Sequence, residues 1–291
     1  MTDAPTFDLQ SHSRHSDGEL APAEVVEAAA AAGVELLALT DHDSVAGVAE
    51  ALTAAERLGI RLCPAVEISA VDAAGADLHI LGYLVDVEHP GLVAELERYR
   101  ADRERRTDAM VQALRESGFA VDEQILAERA RTGKAIGRPH IARAVTSHPA
   151  NARRLAKEGL TDFSRFLGAY LTEGAPAFRP RELPTVNQAI ETIHRADGLA
   201  VWAHPFWDIE EPEKVLETLE RFAVSGIDGA ECFYVTHTAE QTKTLVNACS
   251  SRGLLRTGSS DFHGPDHRLL SAFRAFSLYG FTPELGAIPR A

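Results

Sequence analysis

Cysteine is scarce in this 291-residue chain: Cys63, Cys232 and Cys249 stand far apart, with no CxxC pairing. A disulfide framework is therefore not expected. Each thiol lies in or beside an apolar segment, as reduced buried cysteines do. Long apolar runs are also missing, and none approaches the ~20 residues that cross a bilayer. The opening MTDAPTFDLQ has neither a basic start nor an apolar signal core, so a cytoplasmic protein with no membrane partner is expected. Positive charge is in short supply too. Lys and Arg number 29 against 43 Asp and Glu, a formal net charge of −14. Most of such a surface repels a long nucleic-acid duplex. A small phosphorylated substrate remains compatible, because metal ions reverse the potential locally. There is no internal repeat and no low-complexity tract beyond the run Ala28–Ala32.

What is present is an alternation of short apolar strands with Ala- and Glu-rich helices. Strands are predicted at 7–10, 35–39, 61–66, 78–85, 199–203, 228–232 and 254–258. Helices are predicted at 22–32, 47–58, 185–196, 213–225 and 239–252, the first with Gly33 just past its end. The rhythm breaks after the fourth strand. A long charged helix is predicted at 91–118, and 121–172 holds short helical pieces with no convincing strand. The chain is thus expected to be an α/β protein with a parallel sheet closed into a barrel. The barrel would occupy 1–95 and 180–291, and 96–179 would form an inserted small helical subdomain. The length suits one such barrel.

The polar residues collect at the strand ends. His12, His15 and Asp17 follow the first strand, and Asp41, His42 and Asp43 the second. Glu67 follows the third, His79 lies within the fourth, His204 follows the fifth, and Asp261 and His263 follow the last. In a parallel barrel all strand C-termini open on one face, which carries the active site. Imidazole and carboxylate are the ligands of Zn²⁺, Mn²⁺ and Fe²⁺. Taken singly these residues say little: His79 in DLHILGY reads equally well as a sheet histidine, and Asp41 as a helix cap. Their shared placement at five strand ends points to a metal cluster.

Four signatures, in order, resemble the PHP (polymerase and histidinol phosphatase) phosphoesterases: DLQSHSRHSDG (8–18), LTDHDS (39–44), VEISA (66–70) with HILG (79–82), and AHP (203–205) with GSSDFH (258–263). The resemblance spans almost the whole chain. It is nearest to the nucleotide-directed branch, which holds 3′,5′-nucleoside bisphosphate phosphatases and related 5′-end-directed ribonucleases. It implies a distorted (β/α)7 barrel with two or three divalent ions, Mn²⁺, Zn²⁺ or Fe²⁺. One ion would take His12, Glu67 and Asp261 with position 10. A second would share Glu67 and add His79 and His204. A third would take Asp17, His42 and His263. Position 10 departs from the family's HxH: Gln10 offers a neutral amide oxygen, a weaker ligand than imidazole, so the first ion's site is expected to be altered.

The activity the resemblance implies is hydrolysis of a nucleotide phosphate monoester by a metal-activated hydroxide. The alternatives are a 5′–3′ exoribonuclease on short RNA, a phosphatase of the histidinol phosphate type, or a non-catalytic metal-binding module. Asp41 and Asp43 are expected to orient His42. Arg14, Arg138, His140 and Arg179 are candidates to hold substrate phosphates, and His237 and His267 could reach substrate at the mouth. Phe206 and Trp207, just after AHP, offer rings for packing or for stacking on a base.

Overall fold

The computed structural model describes residues 5–73, 75–131, 136–180 and 184–290. The chain divides into two compact units, Met1–Glu97 with Leu183–Ala291, and Arg98–Glu182.

The first unit opens with β1 (Phe7–Asp8), α1 (Pro22–Ala31), β2 (Leu36–Leu39), α2 (Val48–Leu58), β3 (Arg61–Val71) and β4 (Asp77–Tyr83). From there α3 (Pro90–Glu116) carries the chain into the second unit. That unit holds α4 (Glu123–Arg131), α5 (Arg138–Thr146), α6 (Ala152–Glu158) and α7 (Phe163–Tyr170). Its own core gathers Leu114, Phe119, Ile141, Val145, Leu155 and Phe166. The first unit resumes with α8 (Val186–Arg195), β5 (Leu199–Trp202), α9 (Pro205–Asp208), α10 (Pro212–Val224), β6 (Gly229–Tyr234), α11 (Ala239–Ser250) and β7 (Leu255–Ser259).

Local chemistry sets these boundaries. Thr185 and Thr238 cap α8 and α11 by accepting from the backbone N–H groups of Gln188 and Gln241. Gly59, at φ +70°, ends α2 in the left-handed conformation that glycine adopts without strain. β2 is LLAL and buried along its whole length, as a strand covered on both faces must be.

The described strands form one sheet in the order β1 to β7. Leu9 N–H donates to Gly258 O, and Ser11 bridges Phe262, so the two edges meet and the barrel nearly closes. Tyr83 is fully buried and donates its hydroxyl to Leu9 O across the interior. Outside the sheet, α1 and α2 pack Val25, Val26, Ala29, Val48 and Ala51 against Leu37 and Leu39 of β2.

One expectation needs correction: the sheet is not wholly parallel. β4 runs antiparallel to both β3 and β5, with Ser69 opposite His79 and Ile80 opposite Trp202. The connection 72–76 is too short for the dozen or so residues of a parallel crossover, so β3 turns straight back. This reversal explains why His79 lies early in its strand: the start of β4 stands at the same rim as the ends of the parallel strands. The three cysteines are buried and free, and the fold brings Cys232 Sγ within 3.8 Å of Cys249 Sγ.

Candidate metal centre

The loop after β1 doubles back tightly. A Cβ at Gly18 would stand 2.1 Å from His12 O, so only glycine closes this turn. Three non-glycine residues of the strand ends, Asp43, His204 and Asp261, have φ of +48°, +30° and +53°. Such left-handed residues cost energy and cluster at functional sites. Here they turn the chain sharply at the rim.

Glu67, fully buried, stands at the centre. Its Oε2 lies 3.1 Å from His12 Nε2 and 3.6 Å from His42 Nδ1. Its Oε1 lies 2.9 Å from His79 Nδ1 and 3.3 Å from His204 Nε2. His12 Nε2 is 3.0 Å from Asp261 Oδ1. On the other flank Asp17 lies 3.4 Å from His263 Nε2 and 3.7 Å from His42 Nε2. Residues from 12 to 263 thus meet within one cluster. Among the described residues, three groups have donor atoms close enough to share an ion: His12, Asp17, His42 and His263; His42, Glu67 and His79; His12, Glu67 and Asp261. His42 therefore faces two of these groups, whereas the resemblance assigns it to one.

The donors suit divalent ions, which take imidazole nitrogen and carboxylate oxygen together. Buried polar atoms ordinarily find a hydrogen-bond partner. Yet His12 Nε2, Asp17 Oδ1, His42 Nδ1, His204 Nδ1 and Asp261 Oδ1 make no aligned hydrogen bond and face only the imidazoles and carboxylates around them. Five buried donor atoms lacking such partners within one cluster fit cation ligands.

Electrostatics agree. Burial alone would raise the Glu67 carboxyl, but the facing His42 and His79 and hydrogen bonds with His12 and His204 hold it well below the usual range. Burial likewise opposes ionisation of Asp17, and His42 and His263 overcome it. Burial pushes His42 down to about 4. His12 and His204 are raised, against burial, by the carboxylates that face them, Asp261 and Glu67 for the first and Asp208 and Glu67 for the second. The acids favour the ionised form and His42 the neutral one, both the forms that ligate, and a bound cation would displace protons from His12 and His204.

Gln10 is buried beside this cluster. Its Nε2 donates to Glu67 Oε2 at 2.9 Å, and its Oε1 accepts from Ser259 Oγ at 3.3 Å. Asp41, expected behind His42, instead accepts from Ser13 N, Ser13 Oγ and Ser16 Oγ. Ser16 Oγ in turn lies 3.4 Å from His12 Nδ1, which puts Asp41 behind His12. Asp43 accepts from Ser69 N of β3. Arg14 is exposed and pairs with Glu24 at 2.6 Å. His237 is buried between Phe206 and Tyr234, its Nδ1 3.2 Å from Cys232 O. The His267 ring lies 5.2 Å from that of His263, and its Nδ1 accepts from Leu270 N. Arg138, His140 and Arg179 belong to the second unit. There Arg138 opens α5, His140 Nδ1 accepts from Gly137 N, and Arg179 donates to Phe178 O.

Four supporting residues escaped the sequence reading: Ser16, Asp208, Glu231 and Tyr234. Asp208 Oδ2 lies 3.7 Å from His204 Nδ1, a spacing of four along the chain that was visible in HPFWD. Tyr234 donates to Asp261 Oδ2 at 2.9 Å. Buried Glu231, its carboxyl raised to about 8 by burial, accepts from His204 N and Ser259 Oγ. Neither Tyr234 nor Glu231 leaves a spacing signal, because its partners lie on other strands.

The comparisons with known proteins agree with this geometry. The PHP domain model matches residues 8–136. A 5′-3′ exoribonuclease of Haemophilus influenzae is 35% identical, over 89% of this chain and 90% of that protein. A 3′,5′-nucleoside bisphosphate phosphatase of Chromobacterium violaceum is 33% identical, over 89% of this chain and 87% of that protein. A solved structure from Bifidobacterium adolescentis, assigned as a metal-dependent phosphoesterase, superposes with a TM-score of 0.74 at 27% identity. That match covers 98% of this chain and 94% of that one. Shared sequence along nearly the full chain and a shared barrel leave one conclusion: this protein belongs to the PHP family.

Proposed function

We propose that the protein is a metal-dependent phosphoesterase that hydrolyses a phosphate monoester of a nucleotide, of the 3′,5′-nucleoside bisphosphate kind. The observation that carries this reading is the convergence of His12, His42, His79, His204 and His263 on Asp17, Glu67 and Asp261. The similar Chromobacterium phosphatase supports the substrate class. We assign two or three ions, Mn²⁺, Zn²⁺ or Fe²⁺, to these residues. His12, Glu67 and Asp261 would hold one, Glu67, His79 and His204 a second, and Asp17, His42 and His263 a third. Bound there, the ions would supply an activated water and offset the charge that grows on the phosphoryl oxygens.

The chain's own residues do the rest. Glu67 presents both carboxylate oxygens to different imidazoles and so fixes the cluster's spacing. Asp41, through Ser16, holds the ring of His12, and Asp208 stands behind His204. Tyr234 fixes one oxygen of Asp261 and leaves the other facing His12. The burial of Glu67, His12 and Gln10 keeps bulk water from the floor. Arg14, Arg138, His140, Arg179, His237 and His267 remain candidates for substrate contact; His267 stands beside His263. A cytoplasmic location goes with this reading and with the sparing use of cysteine.

A second reading is a 5′–3′ exoribonuclease on short RNA, favoured by the similar Haemophilus enzyme. Purified protein with Mn²⁺ should be offered adenosine 3′,5′-bisphosphate, a simple phosphate monoester and a 5′-phosphorylated oligoribonucleotide. Preferred phosphate release from the bisphosphate supports the phosphatase. Mononucleotides cut successively from the oligonucleotide support the ribonuclease. No release from any substrate by metal-loaded protein overturns both in favour of a binding module.

A further inference from the structure

The chain has two tryptophans, and they are placed in opposite ways. Trp202 of β5 is fully buried, whereas Trp207, on α9, is 49% exposed. Exposure of one large side chain is ordinary in itself; the place of this one, beside the imidazole–carboxylate cluster, is what matters. Trp207 is nonetheless held firmly. The left-handed turn at His204 starts α9, and Trp207 N–H donates to His204 O at 2.8 Å. Its ring stands 6.4 Å from the ring of His204 and 6.0 Å from that of Tyr234, steeply inclined to both. Behind Tyr234 the rings continue inward, to His237 at 5.4 Å and from there to Phe206 at 5.6 Å. Tyr234, His237 and Phe206 are all buried. The result is a braced aromatic wall with Trp207 as its open member.

The wall adjoins the reacting centre. His204 presents Nε2 to Glu67 and has Trp207 as a neighbouring ring. Tyr234, the other ring against Trp207, holds Asp261. An ester whose phosphate is held at the carboxylate–imidazole cluster thus has Trp207 within reach on the His204 side. Trp207's ring neighbours are aromatic, so what the wall offers is a π-face rather than a charge. Flat heteroaromatic rings match such a face, because every base has a π-surface and stacks on aromatic side chains. A bare sugar phosphate or a phosphorylated aliphatic side chain gains nothing from it.

We propose that Trp207 is a stacking platform for the nucleobase, so that the preferred esters carry a base next to the scissile phosphate. This rests on the phosphoesterase reading above. In the same geometry buried His237 braces Tyr234 from behind.

Intrinsic fluorescence tests the platform directly, since Trp202 is shielded and Trp207 is open. With Zn²⁺ present, AMP should quench the emission saturably and ribose 5-phosphate should not. Trp207→Phe should abolish the AMP quench. In hydrolysis, Trp207→Ala should lower the ratio of kcat/KM for adenosine 3′,5′-bisphosphate over ribose 5-phosphate by ~10-fold, about 1.4 kcal/mol. The proposal is overturned by no saturable quench in the wild type, by a quench that survives Trp207→Phe, or by an unchanged ratio. Failure of the phosphoesterase reading looks different: no substrate is hydrolysed at all, while the quench by AMP still decides whether a base stacks on Trp207.

Discussion

Gln10 differs from its neighbours in the cluster in what it offers. Its amide nitrogen faces Glu67, so as placed it supplies a proton donor to the shared carboxylate where an imidazole would supply a lone pair. It acts on the cluster by fixing Glu67. Removing a group that orients a ligand costs typically 10- to 100-fold in metal affinity. Gln10→Ala should therefore weaken binding of the tightest divalent ion by ~10-fold, and Gln10→His should tighten it or add an ion. Calorimetric titration with Mn²⁺ and elemental analysis of the loaded protein read both effects; affinity and stoichiometry unchanged in both variants would remove any role for position 10. Asp41→Asn should weaken metal binding in the same assay by a similar factor, because the Ser16–His12 contact loses its anionic anchor. Residue types and strand-end positions made the ligands legible in the sequence. The side-chain direction of Asp41 was not legible, because Ser13, Ser16 and His42 all lie within its reach and only the folded turn at Gly18 selects among them.

Elements were easier to place than to orient. The alternation of strands and helices showed each of the seven described strands, and β3 overran its predicted end where β4 pairs with its tail. The direction of β4 was missed although the short connection 72–76 encodes it. A strand's side-chain period is the same in either direction, and only connection length tells them apart. The β6–β7 pair shows a second constraint of the barrel. A Cβ at Gly229 would stand 2.6 Å from Leu255 Cβ and 2.8 Å from Leu255 O, so these strands close only over glycine. The register also shifts between Glu231 and Phe233. Gly229→Ala must push β7 outward, and overpacking of this kind costs typically 1–3 kcal/mol. Urea unfolding should show a loss of ~2 kcal/mol; a loss below ~0.5 kcal/mol would mean that the pair separates freely and that the glycine is incidental.

At the scale of the molecule, the barrel confines acids and imidazoles that would otherwise hydrate separately. Facing imidazoles hold the carboxyls of Glu67, Asp17 and Asp261 below their usual range, so the acids favour the charged form that a divalent ion binds. The unfolded chain has no such cluster, so cation binding adds to folding stability. At 100 times the dissociation constant, the gain is about 2.7 kcal/mol for one site. For a chain of this size each kcal/mol raises Tm by roughly 2–4 °C, so Mn²⁺ added to chelator-treated protein should raise Tm by roughly 5–10 °C. His12→Ala, which removes the imidazole that faces both Glu67 and Asp261, should lose most of that rise, measured against the variant's own metal-free Tm. A scan with and without Mn²⁺ on both proteins checks this. An equal rise in the variant would mean that the cation stabilises the chain by screening its acidic surface, in which case Mg²⁺ and Ca²⁺ would serve as well as Mn²⁺ and the buried cluster would not be what binds.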